Sequence, residues 1–315
     1  MLGIVPAAGR ARRLQPLAGS KELLPLGCSG AAAPPEAAGG RLRAVSEYLI
    51  ERMLAAGASR LCLIVAHDKS DLLRFYGRAA CADRCFFLVQ PRPAGLCDAI
   101  FRAAPFARDG EPVLIGLPDT VWFPADAFAR GLRDTVHLIT FPVAHPEDFD
   151  AVIPAAPGRV ARVEVKRPGS RRRRVWGAVT APAAEFRALA GFWRARGGRD
   201  AYLGDLLNAW IAAGHPVSFD EQGTRYWDIG TPAGYQAALR RRVWDTTSRT
   251  VSPEGATPPR HPPAACLRSR AIAPRQRAGS PSPAPTGRRR SPPPPRRPPA
   301  PRTAPPADAA APARP

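Results

Sequence analysis

Leu2-Gly3-Ile4-Val5-Pro6-Ala7-Ala8-Gly9-Arg10-Ala11-Arg12-Arg13-Leu14, followed by Ser20-Lys21-Glu22-Leu23-Leu24-Pro25, opens the chain and decides how the rest is read. A short apolar run, read as a strand, ends in a turn of Pro, Ala and Gly, and cationic side chains follow at once. A loop of small residues lets backbone N–H groups approach an anion closely, because few Cβ atoms stand in the way. Arginine forks onto phosphate oxygens, while lysine adds a compact point charge. The expectation is a phosphate site at the start of the chain. Gly-x-x-x-x-Gly-Lys-Ser/Thr and Gly-x-Gly-x-x-Gly are both absent here, which excludes the P-loop and the dinucleotide fingerprint.

The segments that follow alternate between helix and strand. Ser46 to Gly57 reads as a helix with Ser46 as N-cap, an apolar face of Leu49, Met53 and Ala56, and Gly57 at its end. Leu61 to Ala66 is a continuous apolar run, as a buried parallel strand requires. A polar helical segment around Asp71 leads to a strand at Phe86-Phe87-Leu88-Val89. Another strand starts at Val113 and ends in Leu117-Pro118-Asp119-Thr120, and a further one spans Val136 to Phe141. Asp200 reads as the cap of a helix whose stripe of Leu203, Leu206, Leu207, Trp210 and Ile211 is core. The pattern predicts an α/β domain with a mixed, mostly parallel sheet. In such a sheet ligands gather at the carboxyl ends of strands, where Asp119 stands.

These pieces resemble, in order, the sugar nucleotidyltransferases, among them the glucose-1-phosphate thymidylyl- and uridylyltransferases. The first stretch is similar to their Gly-Gly-x-Gly-Thr-Arg-Leu and Pro/Ser-Lys-x-Leu-Leu-Pro. Gln90-Pro91-Arg92-Pro93-Ala94-Gly95-Leu96 resembles their Gln-x-x-x-x-Gly-Leu, Leu117-Pro118-Asp119 their aspartate after a strand, and Glu164-Val165-Lys166-Arg167-Pro168 their Glu-x-Lys-Pro. Trp176-Gly177-Ala178-Val179 is similar to a short strand bearing a glycine beside the sugar, and Trp227-Asp228-Ile229-Gly230-Thr231 to Trp-x-Asp-x-Gly-Thr. Departures occur at Ala8, Ala11 and Arg12 in the first stretch. Should position 11 adopt a positive φ, alanine there costs about 1 kcal/mol. Asp150 falls where a glycine approaches the sugar, and Val165 where a sugar-binding glutamate is common.

The resemblance implies a Rossmann-like three-layer α/β/α domain over residues 1–245 and a pyrophosphorylase joining a nucleoside triphosphate, UTP or dTTP, to a sugar 1-phosphate. It implies Mg²⁺ held by Asp119 and Asp228, Arg13 neutralising charge on the diphosphate, and Lys21 bridging toward the α-phosphate. Ala7, Ala8 and Gly9 would bind the nucleotide, and Lys166 and Gly177 the sugar phosphate. Gln90 and Gly95 would read the base, the glutamine amide offering a donor and an acceptor to one base edge. Oligomeric state is left open by the sequence, a homo-oligomer among the arrangements it allows.

From Thr246 onward the chain is almost wholly Pro, Ala, Arg, Ser and Thr, with 20 of its 39 prolines and 13 arginines against Glu254 and Asp308. Residues 246–315 therefore read as a disordered, polyproline-like tail. A formal charge of +20 points to anionic partners. Lysine is confined to Lys21, Lys69 and Lys166, and two of these fall inside the motifs above. The tail lacks aromatic residues to stack bases, so nucleic-acid binding is the weaker rival. A degenerate nucleotide-binding domain without turnover is the other, motivated by Ala8, Ala11 and Arg12. No signal peptide fits before a strand at Leu2, no apolar run approaches membrane length, and Cys28, Cys62, Cys81, Cys85, Cys97 and Cys266 form no zinc or CxxC pattern. A reducing cytoplasm without membrane partners is the expected setting.

Overall fold

Residues 1–28 and 41–243 are described by the structure, a computed structural model. The tail expected from residue 246, and all but Cys28 of the surface loop expected up to Gly40, lie outside the described residues. The strands are β1 (Leu2–Pro6), β2 (Pro25–Cys28), β3 (Leu42–Ala44), β4 (Arg60–Ala66), β5 (Cys85–Gln90), β6 (Pro112–Gly116), β7 (Thr120–Phe123), β8 (Val136–Pro142), β9 (Asp150–Ala156), β10 (Arg159–Val165), β11 (Arg174–Pro182), β12 (Val217–Asp220) and β13 (Arg225–Asp228). The helices are α1 (Val45–Ala55), α2 (Ser70–Tyr76), α3 (Gly95–Phe101), α4 (Ala127–Arg130), α5 (Ala183–Ala195), α6 (Leu203–Ala212) and α7 (Pro232–Arg240).

Nine strands form the main sheet in the order β5-β4-β1-β6-β11-β8-β12-β10-β9. From β5 to β6 the neighbours run parallel, as the buried apolar runs require. Beyond β6 the sheet is mixed: β11 is antiparallel to both β6 and β8, β12 is parallel to β8, and β10 is antiparallel to β9. The segment read as a short strand around Trp176 is the nine-residue β11 at the centre of the sheet.

Alternation along the strands sends side chains to two faces. Leu2 and Ile4 of β1 and Cys62 and Ile64 of β4 join Ile100, Phe186, Leu206 and Trp210 from α3, α5 and α6. Val5, Leu61, Leu63 and Val65 join Leu49, Met53, Leu72 and Phe128 from α1, α2 and α4. The sheet thus lies between two helical layers, each burying one stripe.

Two expected caps are different. α1 is entered at Ala44, whose N–H donates to Glu47 Oε2 at 2.8 Å, while Ser46 lies inside the helix with its hydroxyl against that of Tyr76. A glutamate at the third helical position reaches the orphan donor, so no serine cap is needed. α6 begins at Leu203, and Asp200 instead accepts from Arg196 Nε and Nη2 at 3.2 and 3.1 Å. No helix among the described residues is long and apolar enough to cross a membrane.

Candidate active site

The parallel strands deliver their carboxyl ends to one edge of the sheet, and the loop after β1 lies there. Ala7 is consumed by the scaffold: its N–H donates to Ile64 O at 2.7 Å and its carbonyl accepts from Lys69 Nζ at 2.7 Å. The Ala7 N–H is thus already engaged within the protein, whereas its neighbours in the loop reach the cleft. Ala8 and Gly9 line a cleft of about 640 Å³ with Arg10, Ala11, Arg12 and Lys21. Ala11 adopts φ 51°, the left-handed conformation a glycine would take without strain.

Lys21 sits in a short 3₁₀ turn held from the side by Asp71, which accepts from the N–H and hydroxyl of Ser20 at 2.7 and 2.8 Å. Burial alone would raise the Asp71 carboxyl, yet these hydrogen bonds hold it below the usual carboxylate range. Lys21 Nζ pairs with Asp119 Oδ2. Burial disfavours the Lys21 ammonium, but the neighbouring Asp119 and Glu22 outweigh it and the amine is more basic than usual.

Asp119 lies between β6 and β7, and β7 pairs with β13 in a two-stranded antiparallel ribbon that sets Asp228 opposite Thr120. The Ile229 N–H donates to Asp119 O at 2.8 Å and the Gly230 N–H to Asp228 Oδ1 at 2.8 Å. A Cβ on Gly230 would meet Asp119 Oδ2 at 2.7 Å and Asp228 Oδ1 at 2.9 Å, so both carboxylates flank one spot that only a glycine leaves open. Arg13 Nη2 stands 3.6 Å from Asp228 Oδ2. Burial first, and Asp119 second, raise the Asp228 carboxyl above its ordinary value, against the Gly230 N–H, Arg13 and Lys21. Two neighbouring carboxylates are the hard oxygen donors that suit Mg²⁺, which keeps waters and takes phosphate oxygens for its remaining positions. No group of three or more His, Cys, Asp or Glu converges among the described residues, so Asp119 and Asp228 are two protein ligands without a third.

On the other side of this pair opens a pocket of about 340 Å³ that brings together Arg13, Asp119, Asp150, Lys166, Trp176 and Asp228. Lys166 follows directly after β10 at φ 42°, its N–H donates to Phe149 O at 3.0 Å, and its ammonium lies 4.7 Å from the centre of the Tyr202 ring. Gly177 does not line this pocket. A Cβ there would stand 2.5 Å from the Tyr226 ring and 2.8 Å from that of Phe141, so its smallness seats aromatic rings under the site, and Trp176 is the neighbour that faces the pocket. Asp150 Oδ2 accepts from Trp176 Nε1 at 3.3 Å, and its Oδ1 is buried without a partner.

Gln90 ends β5, beside Ala8 and Arg10 of the first loop. Its Nε2 donates to Gly95 O at 3.1 Å and to Asp98 Oδ2 at 2.8 Å. The amide donor expected to face a base is thus already engaged. Gly95 has φ 93°, and a Cβ would approach Ala201 Cα to 2.8 Å, so both backbone conformation and close approach demand glycine.

Three residues without an assigned role in the sequence reading shape the site: Glu22, Lys69 and Asp71. Scarcity of lysine is the one signal that singled out Lys69; Glu22 and Asp71 look like ordinary surface acids until the fold buries or pairs them.

No family model matches the chain, and no curated protein matches it. Solved structures do. A protein described as a glucose-1-phosphate thymidylyltransferase from Bacillus anthracis, in complex with a sucrose, superposes with a TM-score of 0.63 at 16% identity, over 77% of this chain and 95% of that one. A UDP-glucose pyrophosphorylase from Acinetobacter baumannii gives 0.62 at 16%, over 78% and 94%. A UDP-glucose pyrophosphorylase complexed with UDP-glucose gives 0.62 at 15%, over 77% and 98%. The fold is therefore that of the sugar nucleotidyltransferases.

Proposed function

We propose that this chain joins a nucleoside triphosphate, UTP or dTTP, to a sugar 1-phosphate and releases diphosphate. The observation that carries the proposal is the paired arrangement of Lys21 with Asp119 and Arg13 with Asp228 at the junction of two recesses, one lined by the loop after β1 and one by Lys166. Two anionic substrates need two adjoining sites with cations between them.

A sugar phosphate is already a nucleophile, so positioning and charge neutralisation do most of the work and no covalent intermediate is required. An oxygen of the sugar 1-phosphate attacks the α-phosphorus, a new P–O bond forms, and the bond to the bridging oxygen of the β-phosphate breaks as diphosphate leaves. Lys166 holds the attacking phosphate. Lys21 and the backbone of Ala8 and Gly9 hold the triphosphate, and Arg13 meets charge growing on the leaving diphosphate. Bound between Asp119 and Asp228, Mg²⁺ would supply positive charge at the α-phosphate and help align the two phosphates.

A screen for diphosphate release over four nucleoside triphosphates and a panel of sugar 1-phosphates, with and without Mg²⁺, tests the reading. UTP or dTTP should release diphosphate only with a sugar phosphate present. Nucleotide binding without turnover on any sugar phosphate would make the chain a nucleotide-binding domain instead.

A further inference from the structure

Gln90 is 5% exposed, and its amide nitrogen faces two acceptors, the carbonyl of Gly95 and the carboxylate of Asp98. Turning the amide over would set three oxygens against one another with no proton between them, so its orientation is forced. Asp98 is itself fixed. Arg102, at the end of α3 and one turn on from Asp98, donates from Nε to Asp98 Oδ2 at 2.9 Å and from Nη2 to Oδ1 at 3.1 Å. Arg102 Nη1 also reaches Val89 O at 3.4 Å, on the strand that carries Gln90. Both amide donors are spent, and Oε1 of Gln90 is left without a partner among the described residues.

We infer that Asp98, clamped by Arg102, is a positioning residue that turns Gln90 into a pure acceptor and thereby sets which base the site takes. An acceptor needs a base that carries a proton at the facing edge. Uracil and thymine present N3–H there; cytosine presents a bare nitrogen, and two lone pairs repel. The base discriminated against is thus cytosine, a pyrimidine of the same size, which shape alone would admit. This rests on the proposed nucleotide site but adds to it, since a free glutamine amide could rotate to serve either base.

Calorimetric binding of UMP, dTMP and CMP to the full chain tests the clamp without needing turnover. UMP and dTMP should bind roughly 10–100-fold more tightly than CMP, the range set by one mispaired buried hydrogen bond. Asp98→Ala frees the amide and should shrink the UMP-to-CMP ratio about tenfold. Asp98→Asn keeps one oxygen that Gln90 and Arg102 can share, and should hold the ratio within about threefold of the parent. A role confined to stability would move the melting temperature and leave the ratio alone. Should Asp98→Ala fail to fold, Arg102→Gln, which changes a partly exposed side chain and releases the same carboxylate, should lower the ratio in its place. Equal binding of UMP and CMP by the parent, or an unchanged ratio in a folded Asp98→Ala, overturns the clamp. Selective UMP binding with no turnover of UTP on any sugar phosphate would instead sink the proposed reaction and leave the clamp standing.

Discussion

Lys69 and Glu22 form a buried ion pair beneath the first loop, with Nζ 2.9 and 2.8 Å from the two carboxylate oxygens. The third hydrogen bond of the ammonium goes to the carbonyl of Ala7, so one lysine ties the end of β1 to the turn that carries Lys21. Burial alone raises the Glu22 carboxyl, and Lys69 and Lys21 draw it back only in part. Removing one partner of such a pair leaves an uncompensated charge and costs about 3–5 kcal/mol.

Lys69→Met should therefore lower the melting temperature by about 10 °C, taking roughly 2–4 °C per kcal/mol for a domain of this size. Combining it with Glu22→Leu should restore part of that loss, because the stranded carboxylate disappears as well. A single variant that melts with the parent would show that the pair does not hold the loop.

Asp228 is expected to trade stability for function. A carboxyl whose folded-state pKa is raised holds its proton more tightly in the folded chain than in the unfolded one. Ionising it, as pH rises past its ordinary value, therefore weakens the fold. Asp228→Asn should raise the melting temperature at pH 7 in a chelating buffer while reducing turnover by at least about 10²-fold, the scale of losing one electrostatic stabiliser. Parallel loss of stability and turnover would contradict this account.

Gly230→Ala probes the same spot without altering a charge. The added methyl would press on Asp119 Oδ2 and Asp228 Oδ1, at 2.7 and 2.9 Å, and push both carboxylates aside. Turnover should fall about as far as for Asp228→Asn, and Mg²⁺ affinity measured in the presence of nucleotide should fall with it. Normal Mg²⁺ dependence in this variant would move the metal elsewhere.

Much of the first half of the fold is legible in the sequence because fully buried parallel strands such as β4 have no polar face and read as unbroken apolar runs. Pairing direction beyond β6 is not, since nothing in Arg174–Pro182 itself says that this strand inserts antiparallel between β6 and β8. Motif order points to Asp119 and Asp228, and the ribbon of β7 and β13 supplies the physical reason that they meet. Gln90 shows the limit on the site. Its position is readable, but the state of its amide depends on Asp98 and Arg102, which local sequence leaves as two ordinary helix-face charges.

Arg52 in α1 gives a test of packing away from the chemistry. It is 5% exposed, and its Nε and Nη1 have no hydrogen-bond partner. The guanidinium lies 4.7 Å from the Trp122 ring centre and 5.2 Å from that of Phe123. Burial, with Arg43 adding repulsion, pulls its pKa down to about 9. Arg52→Met keeps most of the aliphatic stem and removes the stranded charge, so the melting temperature should rise by ~2–4 °C. A fall would mean that the contact of the cation with the aromatic rings outweighs its desolvation.

Asp150 bears on the sugar. One of its oxygens accepts from Trp176 and the other is buried and unpaired, within the pocket that also holds Lys166. Burial raises this carboxyl, against the Trp176 hydrogen bond and Lys166. An unpaired acceptor of this kind costs about 1–3 kcal/mol unless a ligand donor supplies the missing bond, and a sugar hydroxyl or ammonium group held near Lys166 is such a donor. Asp150→Ala should then raise KM for the accepted sugar 1-phosphate by roughly 10–100-fold while leaving KM for the triphosphate near its parent value. Its effect should also depend on the sugar, largest for the one whose substituent reaches Asp150 and absent for an analogue lacking that group. Equal losses across all sugar phosphates, or a rise in KM for the triphosphate instead, would show that Asp150 supports Trp176 and the pocket wall rather than reading the sugar.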